Sequence, residues 1–403
     1  MSLKDVTQSG DLLGSVARVP DTVAVGRMTQ DTVKLIFKSD LIDKTYLYWV
    51  LRSPEYREYC RSRSMGTTNL SMSRDDFLSF SIPQPSETRL LLAQVLDEVE
   101  AKIALNRRIN QTLEAIAQAI FRSWFVDFDP VKAKIVAKTE GRDPLRATMS
   151  AISGRPVDEL DALPPEQYGQ LADTAALFPD ELAQLPPGDA PAGWSVKSFA
   201  QLTDKIGSGA TPRGGKEVYE DEGVALIRSQ NVYDSLFVWD GLARITDEAA
   251  NQLKGVTVQE GDVLLNITGA SILRTCVVLP DALPARVNQH VAIIRAKAGV
   301  PPRFLHQHLL LAETKSFLLG LNAGASREAI TKGHIESLEV LVPAPELLAS
   351  FQAITDPLFR RVECGARQIG ALAEMRNALL PKLLSGELTV NSAAAAVESL
   401  GEN

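Results

Sequence analysis

The sequence is poor in the residues that build metal centres and covalent chemistry. Its 403 residues include three cysteines and four histidines. Cys60, Cys276 and Cys364 lie far apart and form neither zinc-type spacing nor a disulfide framework. This pattern fits a reducing cytoplasm, and it leaves little material for a metal site or for histidine-based catalysis.

Long hydrophobic runs are also missing. No stretch of about 18 uncharged apolar residues occurs, so we expect no membrane span. The first residues, MSLKDVTQSGD, contain no apolar core of the kind found in secretory signals, so we expect a cytoplasmic location. Hydrophobic residues nevertheless make up 45% of the chain, which is enough to build real cores.

The net charge of −8 comes mostly from one segment. Residues 127–193 carry 12 acidic and 6 basic side chains, whereas the rest of the chain is close to neutral. Near neutrality neither supports nor excludes a nucleic-acid partner, because local patches matter more than the sum. Proline pairs at 164–165 and 186–187 punctuate the segment. We predict that it is a loosely packed acidic connector with short helices, such as one over 171–178.

An internal repeat organises the sequence. Residues 10–37 and 261–295 both open on Gly-Asp-(Leu/Val)-Leu and close on an apolar run that begins with Val. Each is followed by a helical stretch, a polar loop with glycine, and a strand closed by Pro-x-Pro at 80–85 and 340–345. So many matched features in the same order indicate duplication.

A long helix follows each Pro-x-Pro. Over residues 86–126, apolar side chains and two asparagines recur at alternating steps of four and three, which is a heptad seam. A less regular apolar stripe predicts the second helix over 346–390, and residues 391–403 are expected to be a flexible tail. Helices of about 40 residues would each span roughly 60 Å, and they would most simply pair antiparallel as a coiled coil.

The fold class follows from this organisation. Residues 194–260 have a β-rich pattern and precede the second copy, but nothing equivalent precedes the first. We therefore expect an α+β protein with two α/β modules, built from small mixed β-sheets and helices, and two long antiparallel coiled-coil helices that separate them. Residues 194–345 would form a complete module and residues 1–85 a partial one.

A set of short motifs recurs in a defined order around the two long helices. They are Gly-Ala-Thr-Pro at 209–212, Ile-Arg-Ser-Gln-Asn at 227–231, Gly-Asp-Val-Leu at 261–264, Thr-Gly at 268–269, Val-Asn-Gln at 287–289 and Ala-Ile-Phe-Arg-Ser-Trp-Phe at 119–125. This order resembles the specificity subunit of type I restriction–modification enzymes, and the resemblance covers nearly the whole chain. The chain departs from the family in its first recognition domain, which lacks the opening half.

The resemblance implies a DNA reader without chemistry of its own. Two target recognition domains would each dock on half of a bipartite site in double-stranded DNA, with the long helices setting the spacing. The helices would also bind two methyltransferase subunits, and motor–nuclease subunits would join them. S-adenosylmethionine, ATP and magnesium would be held by those partners, and this chain would hold no cofactor or metal. The shortened first domain makes a homodimer possible, with an interrupted palindrome as its site.

Two other functions stay open at this point. A stand-alone nuclease is disfavoured, because the sequence has no Asn-Pro-Pro methyltransferase motif and no GxxxxGK(S/T) phosphate loop. Residues 127–132 resemble a nuclease motif only superficially, at the end of the first long helix. A truncated or phase-variable cassette, which folds but recognises one half-site or none, would fit the missing opening half.

Candidate DNA contacts in the second module lie in short polar segments. The loop 208–216 combines glycines, a hydroxyl and two cations, which suits phosphate contact, and Arg, Gln and Asn can read base edges. The candidates are Thr211, Arg213, Lys216, Arg228, Ser229, Gln230, Asn231, Asn288 and Gln289, with Arg274 as a weaker choice. The alternative is an ordinary surface loop, or turn chemistry in which Ser and Asn satisfy their own backbone.

The polar loops after the helical stretches are equivalent in the two copies. Thr67, Thr68 and Asn69 correspond to Ser326 and Arg327. The resemblance implies that this position faces DNA, and the alternative is a turn capped by Thr or Ser. Arg18, after the first Gly-Asp, is a further weak candidate.

The helix seam supplies the candidate partner surface, which we expect to need cover from the methyltransferase subunits. Its residues are Leu96, Ile103, Asn106, Asn110, Leu113, Trp124, Phe351, Leu358, Leu372 and Leu379. Trp124 is expected to pack at the helix base or against a partner, not on DNA bases. His306 and His308 are two apart on a predicted helix, so they cannot form one metal site and are expected to be packing or surface residues.

Overall fold

The computed structural model describes residues 1–5, 10–19, 23–29, 31–38, 42–67, 69–185, 188–321 and 329–385. The chain forms two compact units. Unit 1 contains Met1–Ile109 and Cys364–Asn403, and unit 2 contains Asn110–Glu363. The predicted tail at 391–403 lies outside the described residues.

Helices and short strands alternate along the chain. The helices are α1 (Lys44–Val50), α2 (Pro54–Ser62), α3 (Arg74–Leu78), α4 (Glu87–Phe125), α5 (Asp129–Thr139), α6 (Pro144–Ser153), α7 (Pro165–Ala176), α8 (Phe199–Leu202), α9 (Asp247–Gln252), α10 (Pro302–Leu310), α11 (Ala312–Leu321), α12 (Lys332–Glu336) and α13 (Pro345–Ser385). The strands are β1 (Lys4–Asp5), β2 (Leu70–Ser71), β3 (Leu182–Leu185), β4 (Gly188–Pro191), β5 (Ser195–Ser198), β6 (Thr203–Ser208), β7 (Tyr219–Glu220), β8 (Val224–Ile227), β9 (Val232–Tyr233), β10 (Leu236–Phe237), β11 (Ala243–Ile245), β12 (Val263–Asn266), β13 (Thr275–Val277), β14 (Ala285–Val287), β15 (Val291–Ala296) and β16 (Glu339–Val342).

Equivalent helices of the repeat begin in the same way. The Ser73 hydroxyl accepts a hydrogen bond from the Asp76 backbone N–H at 3.0 Å and so caps α3. Thr331 caps α12 in the same manner, accepting from the His334 N–H at 3.2 Å. An N-cap hydroxyl satisfies one of the free N–H groups of the first turn, and it fixes where the helix begins.

The two long helices run antiparallel within each unit. In unit 1, the Arg89 side chain donates to the Leu383 carbonyl, and Glu100 pairs with Arg376 at 2.9 Å. Asn106 donates to the Gln368 side chain at 3.2 Å, and in unit 2 Asn110 donates to the Val362 carbonyl at 3.0 Å. The asparagines of the seam therefore face the partner helix, where buried amides favour one register.

The seam side chains are buried by the chain itself. Leu96, Ile103, Leu372 and Leu379 lie in one apolar cluster of unit 1. Trp124 and Phe351 lie in the main core of unit 2, and Leu113 and Leu358 are half-buried. The expectation that this seam needs cover from partner subunits is therefore wrong, because pairing of α4 with α13 already removes it from water. The side chains left exposed on these helices include Leu105, Ile116 and Ile354.

Unit 2 contains two four-stranded sheets. One has the order β14-β8-β11-β7 and the other β13-β12-β15-β6. All neighbours pair antiparallel except β8 and β14, which are parallel. Strands β8 and β12 are buried along their whole length, and Ile227 and Leu264 share an apolar cluster. Burial on both faces explains their continuous apolar sequence, Val-Ala-Leu-Ile and Val-Leu-Leu.

The acidic segment 127–193 is packed, which corrects the prediction of a loose connector. Helices α6 and α7 and the segment between them enclose a small core that contains Met149, Leu160 and Ala175, all with no exposed surface. Phe178 joins the main core of unit 2 and lies edge-on to Trp124, with ring centroids 5.1 Å apart. The acidic side chains stay at the surface while the sparse apolar ones face inward, so net charge alone did not reveal a folded element.

The two Pro-x-Pro segments differ. Residues 339–342 form β16, which pairs antiparallel with β5. Residues 80–85 form no strand, and none of the described strands pairs with them. The strand predicted there is therefore wrong, because a strand needs a neighbour to accept its backbone hydrogen bonds.

Candidate nucleic-acid interface

Three of the predicted polar segments meet at one edge of unit 2. Strands β8 and β14 are parallel neighbours, with Val287 opposite Ile227, so the residues that follow them lie side by side. The Asn288 N–H donates to the Ile227 carbonyl at 3.0 Å. The loop after β6 joins them, since the Ala210 N–H donates to the Val287 carbonyl at 3.2 Å. We call residues 209–212, 228–231 and 288–290 the polar edge.

Gly209 allows the loop to approach the strand so closely. A Cβ atom at this position would lie 2.0 Å from the Val287 carbonyl oxygen and 2.3 Å from that of Asn288. The Gly209 N–H also donates to the Val291 carbonyl at 3.0 Å. Only glycine fits here, so the loop and the two strand ends form one rigid piece.

A chain of polar side chains crosses this edge. Thr211 and Gln289 are exposed, and the threonine hydroxyl contacts Gln289 Oε1. Gln289 Nε2 lies 3.1 Å from His290 Nε2, and His290 Nδ1 lies 2.7 Å from the Thr268 hydroxyl. Thr268 belongs to the Thr-Gly motif, but neither Thr268 nor His290 was among the predicted contacts, because only the folded chain shows that they support Gln289.

Arg228 and Gln230 are positioned by a single backbone group. Both donate to the Gly241 carbonyl, Arg228 through Nη2 at 2.6 Å and Gln230 through Nε2 at 3.1 Å. Arg228 is half-buried, and its Nε has no hydrogen-bond partner. A buried N–H donor without an acceptor costs free energy, so an approaching acceptor would be favoured at this position.

Two of the predicted contacts serve the scaffold. Asn231 is fully buried; its Oδ1 accepts from the Arg228 N–H, and its Nδ2 donates to the Val238 carbonyl at 2.9 Å. Asn288 is 9% exposed, and its Oδ1 accepts from the His290 N–H. Burial corrects the prediction of Asn231 as a surface contact, and both residues show the turn chemistry that was the alternative.

A buried asparagine was missed by the sequence argument. Asn266 ends β12 and has no exposed surface. Its Nδ2 donates to the Ser229 carbonyl at 2.9 Å and to the Val232 carbonyl at 3.2 Å, which fixes the turn that carries Ser229 and Gln230. The available signal was an asparagine directly after an uninterrupted apolar strand, where an unpaired amide would be costly.

The remaining candidates of unit 2 surround the polar edge or lie outside the described residues. Arg213 and Lys216 are exposed in the glycine-containing loop after β6, which continues into Glu217. The Arg274 guanidinium lies 4.3 Å from the centre of the Tyr233 ring. Ser326 and Arg327 fall outside the described residues.

The unit 1 candidates differ in how their side chains are used. Thr67 and Asn69 are exposed in a turn that requires Gly66, since a Cβ there would lie 2.2 Å from the Asn69 carbonyl oxygen. Thr68 falls outside the described residues. Arg18 makes two 2.7 Å contacts with the Asp97 carboxylate of α4 and lies 4.0 Å from the centre of the Tyr48 ring. Its guanidinium is thus engaged inside unit 1.

Three titratable groups away from the polar edge have pKa values that burial shifts strongly. Burial lowers the pKa of both His306 and His308 to about 3, and both lie in the interior of unit 2 on α10. Their prediction as packing or surface residues is settled in favour of packing. Burial also raises the pKa of Glu114 to about 7, against the opposing effect of the nearby Arg303.

Neither a metal cluster nor a spanning helix emerges from the part of the chain that the structure describes. No three or more His, Cys, Asp or Glu side chains there come together as metal ligands. None of the described helices combines the length and the apolar character needed to cross a membrane.

Comparison with known proteins supports the motif argument. The chain is 29% identical over 367 residues to the HindI specificity subunit of a type I restriction enzyme from Haemophilus influenzae, covering 87% of this chain and 78% of that protein. It is 23% identical over 363 residues to the MjaIX specificity subunit from Methanocaldococcus jannaschii, covering 90% of this chain and 73% of that protein. No family model matches.

A solved structure supports the fold. The type I restriction–modification S subunit from M. genitalium matches with a TM-score of 0.50 and 12% identity, covering 85% of this chain and 73% of that one. The predicted α+β fold, with small mixed sheets and long antiparallel helices, is thereby confirmed. Both relatives are specificity subunits, the class of protein that the motifs predicted for this chain. The family resemblance that the order of the motifs predicted is confirmed: the chain resembles the specificity subunits of type I restriction–modification enzymes.

Proposed function

We propose that this chain recognises a DNA sequence and directs methyltransferase and motor–nuclease subunits to it. The observation that carries the proposal is the polar edge, where two parallel strand ends and a glycine-tight loop bring Arg228, Gln230 and Gln289 together. Arginine and glutamine are among the side chains that distinguish bases in the major groove. The resemblance to specificity subunits supports the same role.

Phosphate contacts and base contacts would be made by different parts of this surface. Arg213 and Lys216 lie on an exposed loop beside the polar edge and would hold the DNA backbone. Arg228 and Gln230 are fixed by the Gly241 carbonyl and would approach base edges. Thr67 and Asn69 are exposed in unit 1 and would serve a second half-site, which makes the proposed site bipartite.

The partner subunits would supply the chemistry. Two methyltransferase subunits would hold S-adenosylmethionine, and the motor–nuclease subunits would hold ATP and magnesium. Since the seam of α4 and α13 is buried, these partners would contact other faces of the helices, where Leu105, Ile116 and Ile354 are exposed. A homodimer that reads an interrupted palindrome is the alternative assembly.

Binding measurements with single variants test the proposal. The chain, coexpressed with its methyltransferase, is titrated with its selected DNA duplex and with a scrambled duplex. Arg228→Ala should weaken specific binding by ~1–3 kcal/mol and leave binding to the scrambled duplex unchanged. Lys216→Ala should weaken binding to both duplexes and reduce the salt slope by about one.

Arg244→Ala provides the matched control. Arg244 is an exposed arginine of the same sheet, on β11, and its Nη1 donates to the Gly223 carbonyl at 2.9 Å, away from the polar edge. Its replacement should change neither binding curve. Equal losses for Arg228→Ala and Arg244→Ala would contradict a base-reading polar edge, and DNA cleavage by the chain alone would contradict the non-catalytic role.

A further inference from the structure

The Gln289 side chain is exposed, yet both ends of its amide are held. On one side the Thr211 hydroxyl contacts Oε1. On the other side Nε2 faces His290 Nε2 at 3.1 Å, and the far ring nitrogen, Nδ1, faces the Thr268 hydroxyl at 2.7 Å. An exposed glutamine is normally free to rotate, so these contacts need an explanation.

The directions of these hydrogen bonds follow from the chemistry of the groups. An amide oxygen only accepts, so the Thr211 hydroxyl donates to Gln289 Oε1. An amide nitrogen only donates, so His290 Nε2 accepts and the ring proton sits on Nδ1. His290 Nδ1 therefore donates to the Thr268 hydroxyl oxygen. Each of these hydrogen bonds therefore has one donor and one acceptor. Together they fix which side of the Gln289 amide carries the oxygen and which carries the nitrogen.

The remaining hydrogen-bonding capacity of Gln289 has a defined pattern. Each contact uses one of the two hydrogen-bonding positions of its atom, so Oε1 keeps capacity to accept and Nε2 keeps capacity to donate. Adenine offers the matching pair in the major groove, a donor at N6 and an acceptor at N7. Guanine presents two acceptors there, N7 and O6, so its O6 would oppose Gln289 Oε1.

We propose that Gln289 reads an adenine in the half-site recognised by unit 2, with Thr211, His290 and Thr268 as positioning residues. This rests on the proposed function and names the base read by one of its side chains. The support behind Gln289 is rigid, because Asn288 Oδ1 accepts from the His290 N–H and Gly209 packs on the strand end. An amide oriented before binding loses less conformational freedom on contact, which favours both affinity and discrimination.

A chemical double-mutant cycle tests the proposal. The coexpressed complex first selects its preferred duplex from a random library. Each adenine of the selected sequence is then replaced in turn by 7-deazaadenine, which lacks the N7 acceptor. At one adenine the wild-type complex should lose about tenfold in affinity, within the range for one bidentate pair. Gln289→Ala should lose at least as much affinity for natural DNA, because it removes both hydrogen bonds to the adenine, and should lose no more with the modified base.

The positioning residues have a readout of their own. Thr268→Val and His290→Leu should reduce the preference for adenine over guanine at that base pair several-fold, and leave the other positions of the selected sequence unchanged. Gln289→Glu should shift the preference there from adenine toward cytosine, since a carboxylate accepts from cytosine N4. Gln259→Ala, which removes an exposed glutamine of unit 2 away from the polar edge, should change nothing.

The outcomes separate this inference from the proposed function. If the wild-type complex selects no sequence, the proposed function fails, and the inference fails with it. If a sequence is selected but the 7-deazaadenine effect persists in Gln289→Ala, or no adenine responds, the inference is overturned while DNA recognition stands. Unaltered base preference in Thr268→Val and His290→Leu would overturn the positioning role.

Discussion

Asp11 and Asp262 occupy the same position in the two copies of the repeat but end in opposite environments. Asp262 is 1% exposed and makes two contacts of 2.7 and 2.8 Å with the Arg295 guanidinium. It also accepts from the Gln259 N–H at 2.7 Å. Asp11 has a side chain that is 69% exposed, and its ion-pair partner Arg61 lies 3.9 Å away.

The difference arises from the neighbours of each segment. After Asp262, β12 is flanked by β13 and β15, and Arg295 comes from β15. Residues 12–19 form no strand; instead Arg57 of α2 donates to the carbonyl oxygens of Gly10 and Leu13. The comparison teaches that Gly-Asp-x-Leu does not itself specify a strand, because the hydrogen-bond partners come from elsewhere in the chain.

The largest expected effect is the loss of stability when the Asp262–Arg295 ion pair is removed. Asp262→Ala should lower the free energy of unfolding by ~3–5 kcal/mol, because it leaves the Arg295 guanidinium without its buried partner. Asp11→Ala should change it by less than ~1 kcal/mol, as for an exposed pair. Urea unfolding of the full chain, followed by tryptophan fluorescence, measures both. Similar losses for the two variants would show that the copies are equivalent after all.

The second largest expected effect is that of acid, which should destabilise unit 2 more than unit 1. All four histidines of the chain belong to unit 2. With pKa values of about 3 for His306 and His308, against an ordinary 6.5, the unfolded state binds more protons between these limits. Their stabilisation is therefore present above pH 6.5 and is lost as the pH falls below it. At pH 5.5 the loss should be roughly 1 kcal/mol for each histidine.

Hydrogen exchange locates this effect. Between pH 7.5 and 5.5, after correction for intrinsic exchange, α10 should lose protection and α2 should keep it. His308→Phe should remove about half of the acid response, since it replaces a titrating ring that packs edge-on against Phe121 and Phe304 with an apolar one. Equal loss of protection in α2 and α10 would count against the histidines as the cause.

The smallest expected difference concerns how each module holds the long helices. In unit 1, Arg18 pairs with Asp97 of α4, with side chains 40% and 35% exposed. In unit 2, Arg303 pairs with Glu363 of α13 at 2.9 Å, with side chains 14% and 22% exposed. Double-mutant cycles should give less than ~1 kcal/mol of coupling for Arg18–Asp97 and about 1 kcal/mol more for Arg303–Glu363, since burial weakens screening. Equal couplings would show that burial does not distinguish these two pairs.

The parts of the fold that were predictable depend on local pattern. The alternating three- and four-residue steps gave the long helix of Glu87–Phe125 almost to its ends, because a heptad seam repeats its signal over many turns. Ser73 and Thr331 mark helix starts through contacts only three residues away. In the acidic segment 127–193, by contrast, Met149 and Phe178 are core residues because of contacts with residues distant in the sequence. A short stretch of sequence does not reveal such contacts.

The same distinction between local pattern and distant contacts applies to the candidate site. Arg228, Gln230 and Gln289 were predicted as contacts because arginine and glutamine side chains can bind base edges, and the structure brings all three to one edge. The same reasoning also selected Asn231, which is buried, because an asparagine next to a strand end looks the same in sequence whether it faces water or the core. The parallel pairing of β8 with β14 joins residues about 60 positions apart. The sequence of either strand alone does not predict this pairing.

The close packing of Gly209 also limits how the recognition surface can be redesigned. Because the loop 209–213 rests directly on the Val287 and Asn288 backbone, a different side chain at position 289 can be accommodated without moving the loop. A loop of different shape cannot be accommodated in this way, since even one added methyl group at position 209 would separate it from the strand end. For the proposed DNA recognition, this predicts that specificity changes by exchanging side chains on a fixed frame, or by exchanging the whole module, whereas grafting the loop alone would dismantle the frame that orients Gln289.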